Sequence, residues 1–325
     1  PAPLLALGKV HVLVAVTAGT AGWWLWRRAR FSGLKRALTW DCGYAAPTAR
    51  MQYTAGSFDA VTVTNMDALS IPAAGGVDTT AVIVGDFSNG NDAVILKNKD
   101  KLADIKGQNV NLVEFSVSHY LLARALESIG AQEKDLKVVN TSDADMAAAY
   151  KTADVTAVVT WKPIVSTILE SPDAHKVFDS SQIPGEIIDL MVVNSAVLKD
   201  NPKFAKALVG IWYETLATMK KGTASKEAMA KASGTDLKGF DEQLATTKLF
   251  SDPKDAVAFT TGKDLKTTTE RVSKFLFAKS LLGKDAKSDG AIGVAFPDKS
   301  IFGDKGNVKF RYDAIFMKEA ADGKL

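Results

Sequence analysis

The sequence of 325 residues holds one cysteine, Cys42, and three histidines, His11, His119 and His175. A single thiol excludes an intrachain disulfide framework. Scattered histidines, with no His-x-x-x-His or Cys-x-x-Cys spacing, argue against a transition-metal site. Excess charge is missing too. Lys+Arg number 40 and Asp+Glu 37, so the net charge of +3 gives no argument for nucleic acid. After Phe58 no basic stretch is interleaved with aromatics. The chain also lacks GxGxxG behind a strand, GxxxxGKS or GxxxxGKT, and GxSxG. Gly75-Gly76 reads as a turn. Carboxylates are plentiful, but no spacing singles out an acid–base pair. Neither an enzyme nor a bound cofactor or metal is expected.

What is present falls into two unlike pieces joined near Phe58. In the first, residues 1–57, Leu4 to Trp26 is mostly apolar, with Lys9 and His11 as interruptions near one end. A spanning helix needs ~20 such residues. Trp23, Trp24 and Trp26 suit a membrane interface, and Arg27, Arg28, Arg30, Lys35 and Arg36 follow at once. A signal peptide carries its positive charge before the apolar run, so this order reads as one hydrophobic, transmembrane-like helix with its C-terminal end cytoplasmic. The chain is expected to meet a membrane through Leu4–Trp26.

The second piece alternates strand and helix signals. Val61 to Thr64, Thr80 to Val84, Ala93 to Leu96, Val110 to Val113, Lys137 to Val139, Thr156 to Val159 and Leu190 to Val193 read as strands. Asn65 is a helix-cap candidate before Met66 to Ile71. His119 to Ile129 places Leu122, Ala125, Leu126 and Ile129 on one face, stopped by Gly130. Asn201-Pro202 opens a long helix whose stripe runs through Phe204, Leu208, Ile211, Trp212, Leu216 and Met219, and Arg271 to Leu282 repeats the pattern. The alternation argues for an α/β fold with a mostly parallel sheet.

Polar clusters recur at strand ends: Thr64 to Asp67, Asp86 to Asp92, Ser116 to His119, Thr141 to Asp143, Thr160-Trp161, and Glu186 to Asp189. In open α/β sheets ligands bind outside the carboxyl ends of strands. Any one cluster reads equally well as a helix cap; six in succession suggest a ligand cleft.

Two resemblances sharpen this reading. The run WDCGY-x-x-P-T-A-R-M-Q-Y-T, from Trp40, resembles a segment behind a membrane helix in antiporter-like subunits of hydrogenase and NADH–quinone oxidoreductase complexes. Those subunits conduct protons through many helices, so one helix cannot inherit that activity. From about Tyr53 onward, VTVTNMDALSIPAAGGVDTTAVIVGDFSNGNDAVILK, VNLVEFSVSHYLLARALESIGA, NTSDADMAAAY, DVTAVVTWKP and FDSSQIPGEIIDLMVVN resemble substrate-binding proteins of ABC importers. The group is the nitrate/sulfonate/taurine (NMT1/THI5-like) one, and within it the branch associated with urea carboxylase. The resemblance implies a type II periplasmic-binding fold, with residues 58–87 and 184–325 as lobe 1 and 88–183 as lobe 2, closing by hinge motion. It implies a periplasmic location, a small-molecule solute, and permease and ATPase subunits as partners. The family's first strand–helix–strand unit of lobe 1 is replaced here by the antiporter-like segment, so the chain reads as a chimera whose first lobe has an unpaired edge.

That branch implies urea or a guanidinium-like cation. A cation calls for carboxylates and an aromatic face. Asp67, Asp86, Glu186, Asp189 and Trp161 offer that set, and Asn65 and Asn89 can bond either kind of ligand. Ser116 and Ser118, with His119, offer the alternative, a helix N-terminus for a sulfonate- or nitrate-type anion. No arginine lies between Met51 and Tyr120 to clamp one. Asp86 and Glu186 read equally as hinge links, Trp161 as core and His119 as an orienting residue. Three other readings stay open: an accessory or remnant of a respiratory complex, a non-functional hybrid, and an enzyme of the related pyrimidine-precursor synthase type. The last expects a reactive cysteine that the second piece lacks.

Overall fold

The chain divides at Gln52/Tyr53 into two units, and the computed structural model describes Phe58–Leu325, all within the second. The apolar segment Leu4–Trp26, the basic cluster behind it, Cys42 and the WDCGY run lie outside the described residues. Among the described residues no helix is long and apolar enough to cross a membrane.

Strand β1 (Ala60–Thr64) runs into a one-turn helix α1 (Asn65–Ala68), prolonged by a π-helical turn over Leu69–Ala73. The cap is Thr64, one residue before the Asn65 suggested by the sequence. Its hydroxyl accepts from the Asp67 N–H at 3.1 Å and donates to Asp67 Oδ2 at 2.8 Å. There follow β2 (Thr79–Ser88), β3 (Asp92–Lys97), β4 (Asn109–Leu112), α2 (Val117–Ser128), β5 (Lys137–Asn140), α3 (Asp143–Tyr150), β6 (Ala157–Trp161), α4 (Ile164–Leu169), β7 (Ala174–Asp179) and β8 (Ile188–Asn194). The last third holds α5 (Ser195–Asp200), α6 (Pro202–Met219), α7 (Thr223–Ala232), α8 (Leu237–Ala245), β9 (Thr247–Leu249), α9 (Pro253–Thr260), α10 (Lys263–Ala278), β10 (Gly293–Ala295), β11 (Ile301–Phe302), β12 (Val308–Tyr312) and α11 (Ile315–Ala321).

The strands form two mixed sheets. The larger is ordered β1-β8-β2-β12-β10-β11, with β9 also on β2; the smaller is β5-β4-β6-β3-β7. Antiparallel ladders outnumber parallel ones, which corrects the expectation of a mostly parallel sheet. The physical reason is that the chain passes between the sheets twice. Each passage, at Ser88–Asp92 and at Asp179–Ile188, delivers a strand that runs against its neighbours: β3 in the smaller sheet and β8 in the larger. β1 ends the larger sheet's order, and among the described residues no strand pairs its outer edge.

Helix α2 stops where Gly130 turns left-handed (φ +63°), with Ala131 N–H reaching the Leu126 carbonyl at 2.9 Å and Gly130 N–H the Glu127 carbonyl at 3.1 Å. Helix α10 starts eight residues before the expected Arg271 and stops four before the expected Leu282. Its amphipathic stripe extends back to the buried Leu265 and Thr268. One apolar core joins both sheets: Val94, Leu112, Tyr120, Leu121 and Val159 on one side and Val84, Leu190, Val272, Leu276 and Phe310 on the other. Fully burying a leucine such as Leu121 contributes about 1.5–3 kcal/mol. Smaller cores cover the outer face of the smaller sheet, under Met146 and Ile168, and that of the larger, under Val209 and Phe316.

Candidate functional site

The two passages lie against one another. Ser88 Oγ is 2.7 Å from Ser180 Oγ and donates to Asp92 Oδ2 at 2.5 Å, while Ser180 Oγ accepts from the Gly90 N–H at 2.7 Å. Gly90 sits at φ +106°, a conformation that a side chain would strain. Asp92 is buried, and burial pushes its carboxyl up to about 7. The Ser88 hydroxyl works against this rise, and the charge of Asp189 adds to it.

On β2, next to this junction, Asp86 stands directly opposite Asp189 of β8 in the antiparallel ladder. Burial, with the charge and hydrogen bond of Asp189 adding to it, raises the Asp86 carboxyl to about 8. Asp189 is raised by burial as well, with the Asp67 charge adding to the effect and the hydrogen bond from Asp86 opposing it. Ionising both would place like charges side by side in a poorly solvated setting. Thr64 is the ladder partner of Asp189 on its other side, which brings Asp67 into the same group. Among the described residues no three His, Cys, Asp or Glu side chains are gathered tightly enough to hold a metal ion. Trp212 of α6 packs in the apolar cluster on the outer face of the larger sheet, against Gly85: a Cβ added there would stand 2.9 Å from its ring, and among the described residues its indole N–H has no partner.

Glu186 belongs to a different arrangement. Oε2 accepts from Tyr120 Oη at 2.6 Å and Arg124 Nε at 2.7 Å; Oε1 accepts from Arg124 Nη2 at 3.1 Å and Arg271 Nη1 at 2.6 Å. All four lone-pair directions of the carboxylate are filled. Burial would raise its pKa, but the hydrogen bonds from Arg124 and Tyr120 and the nearby guanidinium charge hold it below the ordinary value. Asn65 is equally occupied: Nδ2 donates to the Glu186 carbonyl at 3.1 Å and Oδ1 accepts from the Ile188 N–H at 3.2 Å. The structure gives Glu186 and Asn65 internal partners where the sequence reading offered them to a solute.

At the start of α2, Ser116 is the N-cap. Its hydroxyl accepts from the Ser118 N–H at 3.1 Å and donates to the Val113 carbonyl at 2.7 Å. Ser118 is fully buried, and among the described residues its hydroxyl has no partner. The same holds for Thr160, at the carboxyl end of β6, and the Asp143 Oδ1 at the start of α3 is also unpartnered. His119 has both ring nitrogens occupied, by the Phe115 N–H at 3.1 Å and by Glu133 at 2.9 Å. Trp161 pairs with Asp92 across the β3–β6 ladder and is half-buried. Asn89 is exposed, and its N–H meets the Thr246 carbonyl at 2.9 Å.

The structure therefore gathers Asp67, Asp86 and Asp189, adds Asp92, and leaves Ser116 and Ser118 on the other sheet's side of the junction. Asp92 was legible only as one of a cluster. A surface pocket of about 290 Å³, lined by Gly90, Lys162, Ser166, Lys176, Glu242 and Thr246 among others, contains none of the candidate residues. Every arginine among the described residues is paired with a carboxylate: Arg124 and Arg271 with Glu186, and Arg311 with Asp78.

This architecture is that of periplasmic binding proteins. The chain superposes on the periplasmic aliphatic sulphonate binding protein of Escherichia coli with a TM-score of 0.58 at 19% identity, over 72% of this chain and 78% of that one. The alkanesulfonate-binding protein of Xanthomonas axonopodis pv. citri, bound to MOPS, gives 0.56 at 17%, over 70% and 78%. In sequence the chain is similar to the taurine-binding periplasmic protein of Escherichia coli (strain K12), 24% identical over 129 residues, 39% of this chain and 40% of that protein. It thus spans about two fifths of that relative's length. The profile of the family described as NMT1/THI5 like matches residues 43–221, more than half of the 325. The chain belongs to that family.

Proposed function

We propose that this chain is the solute-binding component of an ABC importer and that its type II cleft lies between the two sheets. Residues 58–87 and 184–325 would form one lobe and 88–183 the other, hinged at the two passages. The solute is small and carries donor nitrogens, of the urea or guanidinium kind. The observation that carries this reading is the opposed pair Asp86 and Asp189. These are two poorly solvated carboxyls with Asp67 beside them and no basic side chain among their electrostatic partners. A planar cation with paired N–H groups fits two such carboxylates. The full pairing of the arginines supports the same conclusion, since no guanidinium among the described residues is left to clamp an anion.

A second reading rests on the other side of the junction. The unpartnered Ser118 hydroxyl at the start of α2 suits an anionic oxygen, and the printed names of the relatives are sulfonate and taurine binders. An amino-sulfonate would place its ammonium on the carboxylates and its sulfonate on α2. Transport partners would be a permease and an ATPase, in a periplasmic setting. Among the described residues no strand pairs the outer edge of β1, the edge at which the resemblance would put the family's first strand–helix–strand unit.

The test is thermal unfolding of the full chain at low millimolar guanidinium, urea, taurine or nitrate. A solute at 100 times its dissociation constant adds about 2.7 kcal/mol, a rise of several degrees for a domain of this size. A rise with guanidinium or urea alone supports the first reading, and a rise with taurine supports the second. No rise with any of the four removes both.

A further inference from the structure

The turn that leads into α2 is built against its sequence. Val113 to Ser116 closes with the Ser116 N–H on the Val113 carbonyl at 3.4 Å, and its third residue, Phe115, sits at φ +65°. That position of a reverse turn normally takes glycine or asparagine, because a Cβ there crowds the backbone. Phe115 nevertheless holds it, and the residue is 47% exposed. The burial of an apolar ring therefore does not explain the conformation.

A histidine four residues on does. The Phe115 N–H donates to His119 Nδ1 at 3.1 Å, and the rings lie 5.9 Å apart. Because Nδ1 accepts, the proton of the neutral ring belongs on Nε2, which faces Glu133 Oε2 at 2.9 Å. The same Glu133 oxygen takes Lys279 Nζ at 2.5 Å, directly after α10. Phe275 of α10 closes the side, edge-on to His119 at 5.7 Å and to Tyr120 at 5.3 Å. A chain of contacts thus runs from the end of α10, which packs with the larger sheet, through Glu133 and His119 to the backbone of the turn on the smaller sheet.

We propose that His119 is a positioning residue. Neutral, with its proton on Nε2, it holds the Val113–Ser116 turn in the shape that sets Ser116 and Ser118 at the entrance of α2, and it fixes that entrance to α10. The solute-binding consequence rests on the reading of the cleft given above; the mechanical coupling does not. A protonated ring has no acceptor on Nδ1, so acidification releases the Phe115 N–H. The charged groups facing the ring are Glu133, Lys279 and Glu114. Burial and the Lys279 ammonium favour the neutral ring, while the two glutamates oppose them. The net direction is downward from the usual histidine value, so the turn stays intact at neutral pH.

Two substitutions separate the two ring nitrogens. His119→Asn keeps a carbonyl oxygen near the Nδ1 position; His119→Gln keeps a donor near Nε2 and loses the acceptor for Phe115. The readout is hydrogen exchange of the Phe115 amide in the full chain, with the imidazole tautomer of the unsubstituted protein read by nitrogen NMR. The expected result is near-wild-type protection in the Asn variant and about fivefold faster exchange in the Gln variant, the equilibrium worth of one hydrogen bond. In the wild type, protection should fall as the ring titrates below about pH 6.5. Equal protection in wild type and Gln variant, or a ring protonated on Nδ1 at neutral pH, overturns the proposal. Should the Gln variant not fold, the wild-type tautomer and the pH profile decide alone. Taurine and guanidinium titrations of the same samples keep the two questions apart. A coupled turn in a chain that binds neither solute leaves the positioning role standing and removes the cleft reading.

Discussion

Asp86 and Asp189 face each other across the β2–β8 ladder, one at the end of the strand that leaves the larger sheet and one at the start of the strand that returns to it. Burial displaces both carboxyls upward; Asp189 adds to the rise at Asp86, while the hydrogen bond from Asp86 opposes the rise at Asp189. The folded protein thus binds protons here that the unfolded chain, with ordinary aspartates, has already released. The stability tied to the pair is complete below the unfolded value of 3.8 and is lost as pH rises towards about 8. Each unit of displacement withdraws about 1.4 kcal/mol. Unfolding midpoints of the ligand-free chain should fall between these limits, and Asp86→Asn should flatten the fall and raise the midpoint at the alkaline end. An Asn variant that tracks the wild type across that range would show that the pair does not hold a proton.

Guanidinium should reverse the same loss. A cation between the carboxylates replaces the bound proton, so its stabilising effect should grow as pH rises from about 5 to 8. Titration calorimetry in two buffers of different ionisation enthalpy would detect the released proton. Binding with no proton release at neutral pH would place the cation elsewhere.

Glu186 offers the opposite kind of carboxylate, one with every acceptor direction filled. Removing its charge leaves Arg124, itself largely buried, without its main partner. Breaking a buried pair from one side costs about 3–5 kcal/mol. Glu186→Gln should therefore lower the thermal unfolding midpoint strongly, and Glu186→Ala more so. A loss no larger than that of an exposed ion pair would mean that solvent already screens the network.

How much of this was readable beforehand depends on the range over which each signal acts. The apolar runs TAVIV and LMVV announced β2 and β8, because burial on both faces leaves a continuous hydrophobic trace. β7 escaped because His175 and Lys176 interrupt it, and β9 to β11, of two or three residues each, are too short to show a period. The Asp86–Asp189 pair was assembled in outline, since both residues fall in polar clusters at strand ends. Glu186 fell in the same clusters, and nothing local distinguished it. Its partners Arg124 and Arg271 lie 62 and 85 residues away. Whether a carboxylate is free or saturated is a property of the tertiary structure, and spacing along the chain carries no trace of it.

Gly85 is a sharper case of a local residue with a distant reason. Nothing in its own backbone angles demands glycine, yet a Cβ would meet Trp212 Cζ2 at 2.9 Å. Gly85→Val forces the α6 ring away from β2. Overpacking of this kind costs about 1–3 kcal/mol. The expected outcome is a lowered unfolding midpoint together with altered Trp212 fluorescence; an unchanged emission spectrum would mean that the backbone and not the ring gives way.

The Ser118 hydroxyl separates stability from binding. It is fully buried with no partner among the described residues, a condition that costs a folded protein about 1–3 kcal/mol. An alanine there removes an unsatisfied group of little volume, so Ser118→Ala should leave the solute-free midpoint unchanged or raise it. If the cleft reading holds, the same change removes a group that a bound solute satisfies, and the midpoint rise caused by that solute should shrink. Stability and binding then move in opposite directions, which ordinary loss of packing cannot produce. A variant that is less stable without solute and equally responsive to it would show that the hydroxyl serves the fold alone.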